Sequence, residues 1–261
     1  HTVHLSQSDL TLIVAPDMGG SVLAFSKGEK QILRNAEAAT GPLESAGFPL
    51  IPFAGRIANG AFCFAGRDIH LAPNFPPEPH AIHGECWQKP WIIADQAARS
   101  LTLTRYHDGT NWPWAYQATQ RFELSDHGLA LRMSIKNLSD HPMPAGLGWH
   151  PYLPKENAVI TPSAGTMSGT YNAADLALDA VLDWPTQRTK LMLDGLSIHL
   201  TASDVFRFLT LYTPAGEPYF CAEPWSHFPD ALNNPNPAAC GIKTLAPAET
   251  MAGVIQLSVS A

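Results

Sequence analysis

Three short segments of the sequence place proton-carrying side chains beside glycines and aromatic residues. His83 lies in HAIHG (80–84), His150 in GLGWHPYLP (146–154) and Glu223 in CAEPW (221–225). Imidazole and carboxyl groups are common general acids and bases, and burial or charged neighbours tune their pKa values. A carboxylate beside Trp225 is expected to be partly desolvated, which raises its pKa. The segments point to acid–base chemistry, with a structural core histidine and an exposed carboxylate as the alternatives.

The hydrophobic pattern predicts that strands position these side chains. Apolar and polar residues alternate in many short runs, as in half-buried strands, and glycine-containing turns at 65–67 and 125–128 join two pairs of runs. Helical patterns are confined to residues 37–46 and 173–178. Glu223 is expected just after the last residue of an apolar strand. The predicted strands are residues 10–14, 22–25, 61–64, 68–71, 101–105, 116–124, 129–135, 197–201, 208–212, 219–222 and 254–259.

Many short strands with turn residues between them are typical of a β-sandwich or barrel. No repeat, linker or low-complexity tract divides the 261 residues, so we expect one all-β domain over residues 1–261. Two irregular, proline-rich loops, at 73–79 and 228–237, interrupt the strands. Ordered loops on a rigid scaffold often carry binding residues, so these two are candidates for the walls of a site.

Composition excludes several classes of protein. The chain is 45% hydrophobic and 15% charged with a net charge of −7, and it has no basic stripe, so no nucleic-acid partner is expected. No apolar run is long enough to span a membrane, and nothing reads as a signal peptide. The four cysteines lack metal-binding spacing and are expected to be reduced and mostly buried. These features predict a cytoplasmic protein, with a processed periplasmic form as the alternative.

Four motifs, taken in order, resemble those of the aldose 1-epimerase (galactose mutarotase) family. They are GFPLIPFAGRI (47–57), HAIHG (80–84), GWHPY (148–152) and EPWSHFPDALN (223–233). Each motif alone is weak, but four in order with compatible spacing are specific. The resemblance implies a large antiparallel β-sandwich, the galactose mutarotase-like supersandwich, with a sugar bound in an open cleft on one sheet.

The resemblance also implies roles for five residues. His150 matches the general acid toward the ring oxygen, and Glu223 matches the general base on the anomeric hydroxyl. Arg56 and His83 match residues that hydrogen-bond the sugar, and Asp179 resembles the residue that binds distal hydroxyls. The implied reaction is interconversion of the α and β anomers of a free aldohexose. Ring opening and closure need only an acid and a base, so no metal or cofactor is expected.

The sequence departs from the family pattern at a few positions. Gly55 replaces the asparagine usually found before the arginine, and Val181 and Leu182 replace an aromatic residue after Asp179. These changes bear on sugar preference more than on the acid–base pair. Glu249 is interpreted as structural, because the family's base lies in the earlier motif.

Other functions remain open at this level. A sugar-binding protein without turnover would keep Arg56 and some tryptophans, but would not need both His150 and Glu223. A hexose 6-phosphate mutarotase would need further basic residues, and a glycoside hydrolase would need a second placed carboxylate. A metal site at His80 and His83 lacks further ligands at convincing spacing. The expected partner is a small sugar, and the chain is either a monomer or a homodimer.

Overall fold

Two large antiparallel sheets form the body of the protein in a computed structural model, which describes residues 1–260. The first, which we call the cleft sheet, contains β1 (Val3–Gln7), β2 (Leu10–Ala15), β3 (Ser21–Lys27), β4 (Lys30–Leu33), β5 (Gly47–Leu50), β15 (Gly148–Pro154), β19 (Asp179–Asp183), β22 (Phe208–Tyr212) and β23 (Tyr219–Trp225). Its strand order is β1-β2-β3-β5-β15-β23-β22-β19, with β4 paired to β3.

The second sheet, the back sheet, contains β10 (Ile92–Ala97), β11 (Ser100–Asp108), β12 (Ala115–Ser125), β13 (Gly128–Asn137), β16 (Val159–Ala164), β17 (Met167–Ser168), β18 (Tyr171–Asn172), β20 (Arg188–Leu193), β21 (Leu196–Ala202) and β25 (Thr250–Ser260). Its order is β10-β11-β12-β13-β25-β21-β20-β16-β17, with β18 paired to β16. Three small ladders pair β6 (Arg56–Ile57) with β9 (Ala81–Ile82), β7 (Ala61–Phe64) with β8 (Arg67–His70), and β14 (Met143–Ala145) with β24 (Lys243–Leu245).

Helical structure in residues 1–260 is limited to short 3-10 turns. They are Pro42–Glu44, Ala58–Gly60, Cys86–Gln88, Ala173–Asp175 and Ala231–Asn233. Two of these turns fall where the sequence showed helical patterns. The predicted all-β fold is confirmed, and each run predicted as a strand coincides with one.

The two sheets pack face to face around a continuous apolar core. Buried, inward-facing residues of the back sheet alternate with half-buried ones, as the burial of β12 shows. The core joins residues of both sheets, among them Phe25 and Leu209 from the cleft sheet and Tyr116 and Ile198 from the back sheet. The prediction of one domain over residues 1–261 stays a prediction, and Ala261 lies outside the described residues.

The cleft sheet is buried on both faces near its centre. Residues of β5 are all buried, and β23 is buried from Phe220 to Trp225. A second apolar cluster therefore covers the face turned away from the core, with Phe48, Trp87, Tyr152 and Trp225 among its members. This second cluster forms the floor and walls of a cleft. In the described part of the chain, no helix is long and apolar enough to cross a membrane.

The cysteines differ partly from expectation. All four are free thiols, but only Cys86 and Cys221 are buried, while Cys63 is exposed and Cys240 is half-buried. Cys63 lies on β7, whose hairpin with β8 turns one face to solvent. The prediction of mostly buried thiols therefore holds for two positions and is wrong for Cys63.

Candidate active site

Strand register brings His150 and Glu223 face to face. Strand β15 runs antiparallel to β23, with Gly148 opposite Trp225 and Tyr152 opposite Cys221. His150 lies midway between Gly148 and Tyr152, so it stands opposite Glu223. The His150 Nε2 and Glu223 Oε1 atoms are 3.5 Å apart. The antiparallel pairing of β15 with β23 therefore fixes the position of the two side chains relative to each other.

Neighbouring strands extend this pair into a row of side chains across the sheet. Phe48 of β5 stands opposite His150, and Thr210 of β22 stands opposite Glu223. Because residues two apart on a strand share a face, a second row lies beside the first. That row runs through Tyr152, Cys221, Tyr212 and Asp179, each opposite the next.

These rows form the floor of a cleft of about 360 Å³. All five residues predicted to act on or bind the ligand line it: Arg56, His83, His150, Asp179 and Glu223. The sequence analysis did not single out most of the other lining residues, which are mainly aromatic: Phe48, Phe75, Trp87, Tyr152, Thr210, Tyr212, Tyr219 and Trp225. Among the tryptophans, Trp87 lines the cleft, whereas Trp91, Trp112 and Trp114 are buried in the core.

His150 is held between aromatic rings. Its imidazole stacks on Phe48 and on Tyr152, with centroids 4.7 Å away in each case. The ring is almost enclosed, with 12% of the side chain exposed. Burial disfavours the charged imidazolium and lowers the pKa of His150 to about 3. The imidazole is therefore neutral at physiological pH in the free protein.

Glu223 is also buried, and its position corrects one expectation. The strand does not end before Glu223: β23 continues to Trp225, so the carboxyl group projects from the middle of the sheet with 3% exposure. The Trp225 indole N–H donates a 3.0 Å hydrogen bond to Glu223 Oε2. Burial nevertheless raises the pKa of Glu223 well above its usual value, and the nearby Asp179 charge adds to the rise.

Arg56 is positioned by hydrogen bonds to the backbone on both sides of it. The Ala54 N–H donates to His227 Nε2 and the Ala58 N–H donates to Asp230 Oδ1, each at 3.0 Å. His227 and Asp230 thus have positioning roles. The guanidinium is 49% exposed and pairs with Glu78 of the proline-rich loop at 3.2 Å. Arg56 reaches the cleft from its open side.

His83 is held in place by the backbone segment that carries Arg56. The Gly55 N–H donates a 3.0 Å hydrogen bond to His83 Nδ1, which leaves the ring proton of the neutral imidazole on Nε2. Burial, with the nearby His150 and Arg56 adding to it, lowers the pKa of His83 well below its usual value. Gly55 has a positive φ of 69°, and an added Cβ would lie 2.9 Å from the Trp225 ring. This close approach accounts for glycine where the family usually has asparagine.

Asp179 stands at the outer end of the site. It is the first residue of the edge strand β19, it is exposed, and it lies opposite Tyr212. The residues after it, Val181 and Leu182, pair with Thr210 and Leu209. Asp179 thus reaches the cleft from the edge of the sheet, on the far side of Glu223 from His150.

One group of side chains in residues 1–260 could ligate a metal ion. Ligand atoms of His150, Cys221 and Glu223 lie within 4.8 Å of one another. His80 and His83, which the sequence left as a remote metal candidate, belong to no such group. His80 Nδ1 instead accepts a hydrogen bond from the Asn59 N–H.

A second groove, of about 480 Å³, lies on the other side of the His83 segment and is lined by Glu85, Arg105 and His107. Its charged groups already satisfy one another: Glu85 accepts from Arg105 at 2.9 Å and from His107 at 2.7 Å. The 360 Å³ cleft is the better candidate for chemistry, because its acid–base groups face each other without such partners.

Known structures share this architecture over the whole chain. A candidate aldose 1-epimerase from Escherichia coli K12 matches with a TM-score of 0.88 and 24% identity, covering 100% of this chain and 99% of that one. A galactose mutarotase-like protein from Clostridium acetobutylicum matches with a TM-score of 0.86 and 17% identity, covering 99% and 95%. The fold is therefore the galactose mutarotase-like β-sandwich.

Sequence comparison identifies the family. The family model described as aldose 1-epimerase matches residues 1–167, and the chain belongs to this family. The Escherichia coli K12 protein YphB is 32% identical over 150 residues, which are 58% of this chain and 51% of YphB. YihR of the same organism is 33% identical over 114 residues, 43% of this chain and 37% of YihR. The chain thus spans about half the length of YphB and less of YihR.

Proposed function

We propose that the protein is a mutarotase that interconverts the α and β anomers of a free aldohexose without a cofactor. One observation carries the proposal: a buried His150–Glu223 pair, 3.5 Å apart, sits on the floor of a cleft large enough for a pyranose. A glycoside hydrolase would need two carboxyl groups placed for the acid and the nucleophile or base roles. The group that faces Glu223 here is His150, whereas Asp179 stands two strands away, at the edge of the sheet. A pure binding site would have no use for an acid–base pair.

In this proposal Glu223 removes the proton of the anomeric hydroxyl while His150 protonates the ring oxygen. The C1–O5 bond breaks, the C1–C2 bond of the open aldehyde rotates, and the ring closes with the two residues in exchanged roles. Ring opening leaves Glu223 protonated and His150 neutral. This is also the state that burial favours in the free protein, because burial raises the pKa of Glu223 and lowers that of His150.

Before ring opening, His150 must therefore be protonated and Glu223 must be ionised. Bound sugar must favour this charge-separated form, and hydroxyl donors near Glu223 and acceptors near His150 do so. The pair carries one proton throughout, so its apparent pKa values belong to the pair. The pair has two apparent pKa values. The mutarotation rate is expected to be highest at a pH between them and to fall at lower and higher pH.

The other lining residues hold the sugar. Arg56 and the His83 Nε2–H are donors suited to the ring oxygen and adjacent hydroxyls, and Asp179 is an acceptor suited to distal hydroxyls. Among the lining residues described, Arg56 is the sole Arg or Lys, and Glu78 already pairs with it. This favours a neutral sugar over a phosphorylated one. Free thiols are consistent with a cytoplasmic location.

The test is polarimetry of freshly dissolved α-D-glucose and α-D-galactose with wild type, Glu223→Gln and, as a matched control, Glu249→Gln. Glu249 is a carboxylate outside the cleft that bonds the Ala246 N–H and Lys243. We expect wild type and Glu249→Gln to accelerate mutarotation, and Glu223→Gln to lose roughly 10²-fold or more.

Retention of full activity by Glu223→Gln would contradict the assigned base. Failure of the wild type on both sugars, and on a panel of aldoses followed by anomer-exchange NMR, would contradict the proposed reaction. Prior dialysis against a chelator tests independence from metal ions. We expect no loss of activity after this treatment.

A further inference from the structure

Cys221 lies next to the acid–base pair and has no part in the proposed proton transfers. It precedes Glu223 by two residues on β23, so both side chains lie on the same face of the strand. It is fully buried, and Tyr152 and Tyr212 stand opposite it on the two neighbouring strands. The thiol thus lies just beneath the cleft, beside two other potential metal ligands.

We infer that His150, Cys221 and Glu223 form a binding site for a thiophilic divalent cation of the Zn²⁺ class. The three ligand atoms already lie within 4.8 Å of one another, and His150 Nε2 and Glu223 Oε1 are 3.5 Å apart. In a tetrahedral zinc site, bond lengths of about 2.0–2.3 Å put ligand atoms roughly 3.3–3.7 Å apart. A separation at the 4.8 Å limit would have to shorten by about 1 Å to reach this geometry.

The donor set matches the open type of zinc site. Such sites combine three protein ligands of nitrogen, sulfur and oxygen type with a fourth position for water. Here the cleft supplies the fourth position, since His150 and Glu223 line it. The chain holds three ligands on two paired strands, so little backbone movement is needed.

Binding releases protons. The cation takes the lone pair of neutral His150 and replaces the proton of the Cys221 thiol and that of the Glu223 carboxyl group, and both protons pass to solvent. Because a thiol and a carboxyl group must be deprotonated to bind the cation, protons compete with the metal at low pH. Affinity therefore increases with pH.

An occupied site would remove both the acid and the base. This consequence rests on the proposed function: Zn²⁺ would inhibit mutarotation, and sugar and metal would exclude each other. Cation binding itself does not depend on the reaction. The two ideas can therefore fail separately.

The experiment titrates Co²⁺, as a spectroscopic probe, into a Cys63→Ser/Cys240→Ser background that keeps the two buried thiols. We expect a thiolate-to-cobalt charge-transfer band that Zn²⁺ displaces. Cys221→Ala should abolish the band and weaken Zn²⁺ binding by at least about tenfold. Cys86→Ala is the matched control, because Cys86 is buried elsewhere, against Tyr116, and should leave the band unchanged.

Two results would overturn the inference. One is a background protein that shows no charge-transfer band at saturating Co²⁺. The other is a Cys221→Ala variant that keeps wild-type Zn²⁺ affinity, with its fold checked by circular dichroism. If mutarotation occurs but Zn²⁺ inhibits Cys221→Ala as strongly as the wild type, the inhibitory site lies elsewhere and the inference also fails.

A separate observation concerns Thr210. Its hydroxyl is buried and, within the described residues, Oγ1 has no hydrogen-bond partner, although Thr210 lines the cleft directly opposite Glu223. A buried hydroxyl without a partner costs stability unless a ligand satisfies it. We infer that the Thr210 hydroxyl binds a sugar hydroxyl next to the anomeric centre, an inference that rests on the proposed function.

The test compares Thr210→Val, which keeps the shape but removes the hydroxyl, with Thr210→Ser, which keeps the hydroxyl. We expect Thr210→Val to raise KM and the Kd for sugar about tenfold with no loss of thermal stability, and Thr210→Ser to stay close to wild type. Kd is measured by ligand-observed NMR, independently of turnover. Unchanged Kd and KM in Thr210→Val would overturn this inference while leaving the reaction intact; a wild type that binds sugar without turnover would contradict the reaction alone.

Discussion

Residues 1–260 contain two histidine–glutamate pairs in different environments. In the cleft, His150 and Glu223 are 3.5 Å apart, and neither has another charged partner within salt-bridge distance among these residues. Beside the second groove, His107 Nδ1 and Glu85 Oε1 are 2.7 Å apart. The same two residue types, at comparable burial of the histidine, therefore form the proposed acid–base pair in one place and a structural ion pair in the other.

The surroundings of the second pair explain the difference. His107 Nε2 also lies 2.8 Å from the Trp112 carbonyl oxygen, so both ring nitrogens face acceptors and both must donate. Arg105 adds a second cation to Glu85 at 2.9 Å. These hydrogen bonds overcome the burial of the ring and raise the pKa of His107, while that of Glu85 is lowered. The pair is ionic.

The cleft pair lacks these supports. Burial dominates there, lowering the pKa of His150 and raising that of Glu223, so the neutral forms prevail. Such a pair can gain or lose a proton when a substrate supplies polar contacts, whereas the ionic pair is already satisfied. Closeness of a histidine and a glutamate is thus insufficient for catalysis; the remaining partners decide the role.

The largest expected effect separates the two histidines by activity. His150→Asn should reduce kcat/KM for mutarotation by roughly 10²–10⁴-fold, because it removes the proposed general acid. His107→Asn should alter kcat/KM far less, because the hydrogen bonds of the His107 ring to Glu85 and Trp112 are structural. Steady-state polarimetry of both variants measures the contrast. Equal losses in the two variants would contradict the distinction between the pairs.

The next largest effect concerns the stability of the protein, on which substitutions of Glu85 and Glu223 should act differently. Glu85→Gln should lower the free energy of unfolding by about 2–3 kcal/mol, below the 3–5 kcal/mol of fully buried pairs because Glu85 is partly exposed. The loss arises because Arg105 and the buried His107 cation lose their counter-ion. Urea denaturation at pH 7 gives the value. A loss below about 0.5 kcal/mol would show that the pair is not structural.

The smallest effect has the opposite sign. Glu223→Gln should raise the free energy of unfolding at neutral pH by on the order of 1 kcal/mol. The folded pKa of Glu223 is raised, so the wild type loses stability as pH rises from the usual carboxyl pKa of 4.5 through the folded value. The gap between variant and wild type should therefore close as pH falls toward 4.5. A gap independent of pH would point to packing instead of ionisation.

Sequence patterns were sufficient for the fold class and for the residues carried by motifs. Alternation located the strands, and the resemblance located His150, Glu223 and Arg56, all of which line one cleft. Two local predictions were wrong. Cys63 is exposed, and the strand that was expected to end before Glu223 continues to Trp225, with Pro224 pairing with Leu209 inside β23.

Other site residues could not be identified from sequence because their positions depend on strand register. Thr210 lies in an ordinary alternating strand, and only the pairing of β22 with β23 places it beside Glu223. Cys221 likewise looked like a buried core thiol until its neighbours across the sheet were known. Register is fixed by long-range pairing, which periodicity alone does not reveal.

The order of strands in the cleft sheet has a consequence for how this protein can diversify. His150 and Glu223 project from central strands hydrogen-bonded on both sides, where a one-residue insertion or deletion would turn every side chain to the opposite face. Asp179 instead begins the last strand of the sheet, which has a neighbour on one side only. Evolution can lengthen, shorten or replace β19 without disturbing the proposed proton-transfer pair, so, under the proposed function, we expect new sugar preferences to arise first at this edge.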